Sequence, residues 1–374
     1  MKKSYIYILI VILIIALVII NQKKDSKFFI ANGVRYSTSL DGNSIDSFPS
    51  KGDYEVEVNC INAKGSWNYK DWTVDVYDII GKVSCTISFT SKTSSSISNY
   101  IKSLARTTQG TGQIVNEKGY RYEGKNPNNY IYFNNELWRI IGVFDSSSHG
   151  KTGEYLTKII RNDSLGGYAW DKSGKNNWAT SSLYNLLNTN YYNATDGTSG
   201  GNCYHYSTTI TSNCDYIETG LQSEYRNMVE NVTWYLGGKD SASYTAEAFY
   251  TGERDSTSVS NGNTSSIAGY IGLMYVSDYG YSVLSSSCAR TIKLGGYGSS
   301  TCGGSSWLKK ESTEWTVTFD SSIGAFGIFN NSSLDSYIVV SGYATRPVLY
   351  LKSNVQVYAG DGSISKPYQI KLAS

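Results

Sequence analysis

Six cysteines, set as three neighbouring couples, constrain this chain of 374 residues more than any other feature. The couples are Cys60/Cys85, Cys203/Cys214 and Cys288/Cys302. None forms C-x-x-C, and His149 and His205 are the only histidines, so no zinc set assembles from the spacing. Local pairing within each couple is one of several connectivities that six cysteines allow. Structural disulfides, worth about 3 kcal/mol each, form in an oxidising exterior. The cysteines therefore place the chain after residue 27 outside the cell.

The N-terminus agrees with that address. After Met1-Lys2-Lys3-Ser4 come Tyr5 to Ile20, apolar or aromatic throughout and uncharged, closed by Asn21-Gln22-Lys23-Lys24. As a helix this run spans about 24 Å, slightly short of a hydrocarbon core of roughly 30 Å. Snorkelling of Lys3 and Lys23 covers the difference. No A-x-A-like site and no lipid-attachment cysteine follow Ile20, so residues 1–27 read as an uncleaved signal anchor rather than a removed signal peptide. Lysines flank the run on both sides and do not orient it. The cysteines do, giving a single-pass protein of the cell membrane with its C-terminal ectodomain outside. Residues 1–27 carry five Lys and one Asp, a net of +4, while the whole chain carries +2, which leaves the ectodomain at −2. A basic footprint for nucleic acid is absent, so no nucleic-acid partner is expected.

Residues 28–92 are expected to form a small β domain of sandwich style. Tyr54–Cys60, Trp72–Asp78 and Val83–Phe89 alternate apolar with polar, as half-buried strands do. Cys60 and Cys85 fall in phase with the apolar set, which favours a bridge between them. Residues 93–118 read as a linker, interrupted by a short helix near Ile97–Arg106, that holds the last domain off the membrane. Residues 119–374 are expected to form a larger domain, making the chain α+β. Within it, Tyr130–Phe133 and Leu137–Phe144 flank a hairpin turn at Asn134-Asn135. Tyr155–Ile160 suggests a further strand. Thr180 or Ser181 caps a helix burying Leu183, Leu186, Leu187 and Tyr191. A second helix is expected over Ile217, Leu221, Tyr225, Met228, Val229 and Val232, stopped at Gly237-Gly238. The last strands are Ala344–Leu351 and Tyr368–Leu372.

Several motifs resemble a known family. Trp178-Ala179-Thr180-Ser181-Ser182-Leu183-Tyr184-Asn185-Leu186-Leu187-Asn188 has the form W-x-x-S-x-L-x-x-x-L-N, and Thr345-Arg346-Pro347-Val348-Leu349-Tyr350-Leu351 stands far downstream. With Lys125–Tyr130, Trp234–Gly238, Gly272–Tyr281 and Gly360-Asp361-Gly362, they resemble a bacterial surface-domain family of unknown function. That family is allied to the C-type-lectin-like and formylglycine-generating folds. The resemblance covers residues 119–374 and implies a lectin-like α+β domain, without implying a function.

The chemistry is sparse. Cys288/Cys302 could serve an extracellular oxidative enzyme of formylglycine-generating type, but Gly295, Gly296, Gly298, Gly303 and Gly304 around them suit a stapled loop, and no neighbouring base activates a thiol. No Pro sits in a sugar-binding calcium turn. Asp171–Asn176 is a faint oxygen-ligand loop without the EF-hand pattern. Glu253-Arg254-Asp255 reads as a local ion pair, and His205, between Tyr204 and Tyr206, as a surface residue. No catalytic residue, metal ligand or cofactor is assigned. The positive feature is Tyr275, Tyr279, Tyr281, Tyr297 and Trp307 among Ser and Gly, the residue mix of adaptable binding surfaces. The expectation is a membrane-anchored surface protein presenting a lectin-like domain to an extracellular glycan or protein. A passive envelope component is the other non-enzymatic reading.

Overall fold

The computed structural model describes residues 28–374 apart from 41, 50, 52–53, 92–94, 106–113, 195–199, 207–209, 260–261, 321–323 and 374. The chain divides into two compact units, one ending at Ser94 and one running from Ser95 to Ser374. The anchor expected over residues 1–27 lies outside the described residues. Among those described, no helix is long and apolar enough to cross a membrane.

Alternation builds the first unit. Its strands are β1 (Phe28–Ala31), β2 (Val34–Leu40), β3 (Asn43–Ile45), β4 (Tyr54–Ile61), β5 (Lys64–Asn68), β6 (Thr73–Tyr77) and β7 (Ser84–Ser91). One sheet runs β1-β2-β7-β4, with β3 on β2, while β5 and β6 form a separate hairpin. Strand β2 runs parallel to β7, and β4 antiparallel to it. The inward residues of β7 are Cys85, Ile87 and Phe89, all buried. Trp67 of β5 packs edge-on against Phe89, with ring centroids 4.9 Å apart, and against Phe48 at 5.0 Å. Gly65 is required for that approach: a Cβ there would lie 2.6 Å from Val58 Cγ1 and 2.7 Å from Cys60 Sγ. Cys60 and Cys85 stand directly opposite each other in the β4–β7 ladder and are bonded, as their shared phase predicts.

The second unit is built mostly of sheet, and this corrects the α+β expectation. Strand accounts for 40% of the chain and helix for 18%. The longest described helix, Ala246–Arg254, has only nine residues. A seven-stranded antiparallel sheet runs Ile271–Gly272, Val348–Leu351, Leu156–Arg161, Glu136–Phe144, Tyr120–Tyr122, Ile114–Asn116, with Tyr130–Phe133 also on Glu136–Phe144. The turn at Asn134-Asn135 forms with φ of 55° and 61°, the left-handed pair that a two-residue hairpin demands. A five-stranded sheet runs Gly167–Ala169, Gly342–Ala344, Glu314–Phe319, Gly324–Ile328, Leu334–Ile338. Its Glu314 lies beside Ala344 in parallel register.

Two local expectations change for physical reasons. The helix expected over 217–232 is reduced to Ser223–Arg226, and Val232–Tyr235 is instead a strand on Ser266–Gly269. Val232 and Trp234 point inward with period two, and ladder pairing outweighs the helical spacing before them. In the stretch read as a spacer, Ser95–Ser96 pairs with Val355–Ala359, and the helix Ile97–Leu104 buries Ile97 and Ile101 completely in the core. The expected cap at Ser181 is present, its Oγ accepting from the Tyr184 amide at 3.0 Å, although the helix widens into a π-turn over Leu186–Tyr191.

Candidate functional site

The five aromatic residues expected to face a ligand face the core instead. Tyr275, Tyr279, Tyr281, Tyr297 and Trp307 are all less than 5% exposed. Each of the residues in the helix Val276–Ser282 is buried, so this is a central element and no display loop. The polar atoms are spent on backbone. Tyr279 OH donates to Ser332 O at 2.7 Å, Tyr297 OH to Gly280 O at 3.1 Å, and Trp307 Nε1 to Tyr122 O at 2.9 Å. Tyr275 OH donates to Tyr235 O at 3.0 Å and accepts from Tyr235 N at 2.8 Å. Burial pushes the Tyr281 and Tyr297 phenols up to about 12. Amphipathic rings suit a core when carbonyls are at hand for the hydroxyls.

That helix is pinned by charge. Asp278 accepts from Arg121 Nη1 at 2.9 Å on one oxygen, and from Lys158 Nζ and the Tyr275 amide on the other. All three side chains are at most 2% exposed. Burial raises the Asp278 carboxyl, but Lys158 and Arg121 outweigh it and hold the group at about 2. Burial pulls Lys158 down to about 8 against the opposing pull of Asp278.

The remaining candidates are also structural. Cys203–Cys214 and Cys288–Cys302 are bonded pairs, and the cysteines of the second couple are fully buried. Asp171 accepts from the amides of Ser173, Lys175 and Ser182 and from the Ser173 hydroxyl, so it organises its own loop. Glu253 is buried and accepts from the Ser277 amide at 3.0 Å and Thr318 Oγ1 at 2.9 Å. His205 is bonded through Nδ1 to Gly167 O at 2.6 Å.

Among the described residues of the second unit, two roomy concavities stand open. One, of about 360 Å³, lies between Asp171–Ser173, Ser181–Ser182 and Tyr204. Its polar groups are committed: Ser181 caps a helix, Ser182 Oγ accepts from the Lys172 amide, and Lys172 Nζ donates to Tyr204 OH at 2.9 Å. The other, of about 460 Å³, lies between residues 162–164 and 309–312 over a floor of Glu314, Ala344 and Arg346. Parallel pairing of Glu314 with Ala344 sets the Glu314 and Arg346 side chains together. Arg346 gives Nε to Glu314 Oε1 at 2.7 Å and Nη2 to Oε2 at 2.8 Å, and Nη2 also reaches Leu308 O at 2.9 Å. Its Nη1 is buried with no partner among the described residues.

Among the described residues, Lys310 reaches only Asn162 Oδ1, at 3.4 Å. Burial, with Arg346 and Arg139 nearby, lowers its amine to about 8. Burial raises the Glu314 carboxyl, and Arg346 offsets part of that rise. Sequence reading missed this site. Its members come from three separated segments, and Lys309-Lys310-Glu311 after Trp307 was the available signal. No protein family, curated protein or solved structure matches the chain.

Proposed function

We propose that the protein is a bacterial cell-surface protein, held at the membrane through its N-terminal segment, whose larger unit binds a small ligand in the cleft floored by Arg346. The three disulfides support an extracellular setting. The observation that carries the binding reading is the open cleft of small-ligand size itself, with the loosely held Lys310 amine on its wall above a floor of Arg346 and Glu314. An enzyme of formylglycine-generating type would need a reactive thiol at Cys288 or Cys302, and these two are bonded to each other.

Glycan and peptide arrays probed with the oxidised full chain test this reading. Lys310→Met is expected to weaken captured ligands about tenfold, the weight of one charge-assisted hydrogen bond. Equal capture by the variant, or silence across both arrays and against free small molecules, overturns the assignment.

A further inference from the structure

The cleft carries more than one loosely held amine. Its lining holds three cations, Lys309, Lys310 and Arg346, and three carboxylates, Asp163, Glu311 and Glu314. Arg346 and Glu314 are bonded to each other. Among the described residues, the other four form no ion pair at all. A pocket with two free charges of each sign cannot favour a polyanion, since any phosphate or sulfate drawn to Lys310 also meets Asp163, Glu311 and Glu314. Nor does it suit a simple cation, which would meet Lys309 and Lys310. A ligand that carries both signs a few ångströms apart satisfies the lining without leaving a repulsive contact.

We propose that this cleft holds a small zwitterion of α-amino acid type, its carboxylate on Lys310 Nζ and its ammonium on the carboxylates of Asp163 and Glu311. The assignment rests on the cleft being the binding site, and adds the class of ligand. Arg346 is neutralised in the floor by Glu314, which takes two hydrogen bonds from its guanidinium, so Lys310 is left as the cation on the wall that meets a ligand carboxylate. The Lys310 amine, lowered to about 8 by burial and cationic neighbours, is held more firmly in its charged form when a carboxylate arrives. At about 460 Å³ the cleft admits an amino acid with its side chain.

The test uses the full chain with ¹³C-labelled lysine, the Lys310 signal being assigned by its loss in Lys310→Arg. The probes are the common L-amino acids, then the best binder as its C-terminal amide, which lacks the carboxylate, and as its N-acetyl form, which lacks the ammonium. The expected result is a Lys310 shift with the free amino acid, a titration midpoint moved above about 8, and at least tenfold weaker binding of both derivatives. If the N-acetyl form binds as well as the parent, the zwitterion assignment falls and the cleft remains an anion site. If D-glucose or another neutral probe shifts Lys310 equally, the charge assignment falls alone. If no probe moves Lys310 or is weakened by Lys310→Met, both this inference and the binding reading are wrong.

Discussion

Asp278→Asn is the most informative single substitution in the larger unit. It keeps the shape of the side chain and removes the charge that Lys158 and Arg121 share. The size of the effect can be worked two ways. The carboxyl is held at about 2, against 3.8 when free, which corresponds to about 2–3 kcal/mol. Removing one partner of a buried pair costs about 3–5 kcal/mol, because the other charge is left uncompensated. Lys158 already sits at about 8, so without its partner it can shed its proton and limit the loss. The expected cost at pH 7 is therefore about 2–4 kcal/mol.

The sign with pH follows from the same values. Asp278 is depressed in the folded protein, so its contribution is complete above about 3.8 and fades as the pH falls towards about 2. Urea unfolding with the disulfides intact, followed by tryptophan fluorescence, measures the loss. Asp278→Asn should leave the stability of the first unit, a separate compact unit, unchanged. Adding Lys158→Met should restore part of the stability, since it removes a buried charge that has lost its partner. A cost below about 1 kcal/mol, or no recovery in the double variant, would refute the view that this triad pins the helix Val276–Ser282.

Three further outcomes follow from the structure. Cys60→Ser with Cys85→Ser opens a loop of 25 residues and should destabilise the first unit by about 3 kcal/mol, read from Trp67 fluorescence in urea. Tyr279→Phe strands the Ser332 carbonyl and should cost about 1–2 kcal/mol, with no change in array binding; a binding loss at unchanged stability would restore a display role to that ring. Alkylation of the unfolded, unreduced chain should label none of the six cysteines, and any labelled residue would remove one bridge from the extracellular assignment.

Legibility in the sequence tracked the range of the interaction. Tyr54–Cys60, Trp72–Asp78 and Val83–Phe89 each carry a period of two within seven residues, and β4, β6 and β7 formed there. The Asn134-Asn135 turn is a two-residue signal and was equally readable. The apolar residues from Ile217 to Val232 mimic a helix, yet Ile217 is exposed and Val229 bridges to Leu351. That partner lies far along the chain, beyond the reach of any window. The tyrosines misled because local composition cannot tell a hydroxyl that meets solvent from one that meets a distant carbonyl. The cleft was hidden for the same reason. Arg346 sat within a quoted motif, but its meaning depends on Glu314, Leu308 and Lys310 arriving from another segment.

The Cys60–Cys85 crosslink also sets how the first unit behaves under mechanical load. Tension along the chain peels β1 first, because β1 runs antiparallel to β2 and its hairpin can unzip. The load then passes to the β2–β7 pair, whose six parallel register pairs are pulled in shear and yield together. Even after that rupture, the 24 residues between the bonded cysteines cannot lengthen, which withholds about 80 Å of extension at roughly 3.4 Å per residue. The unit thus acts as a short, stiff leash whose reach is capped by a covalent stop.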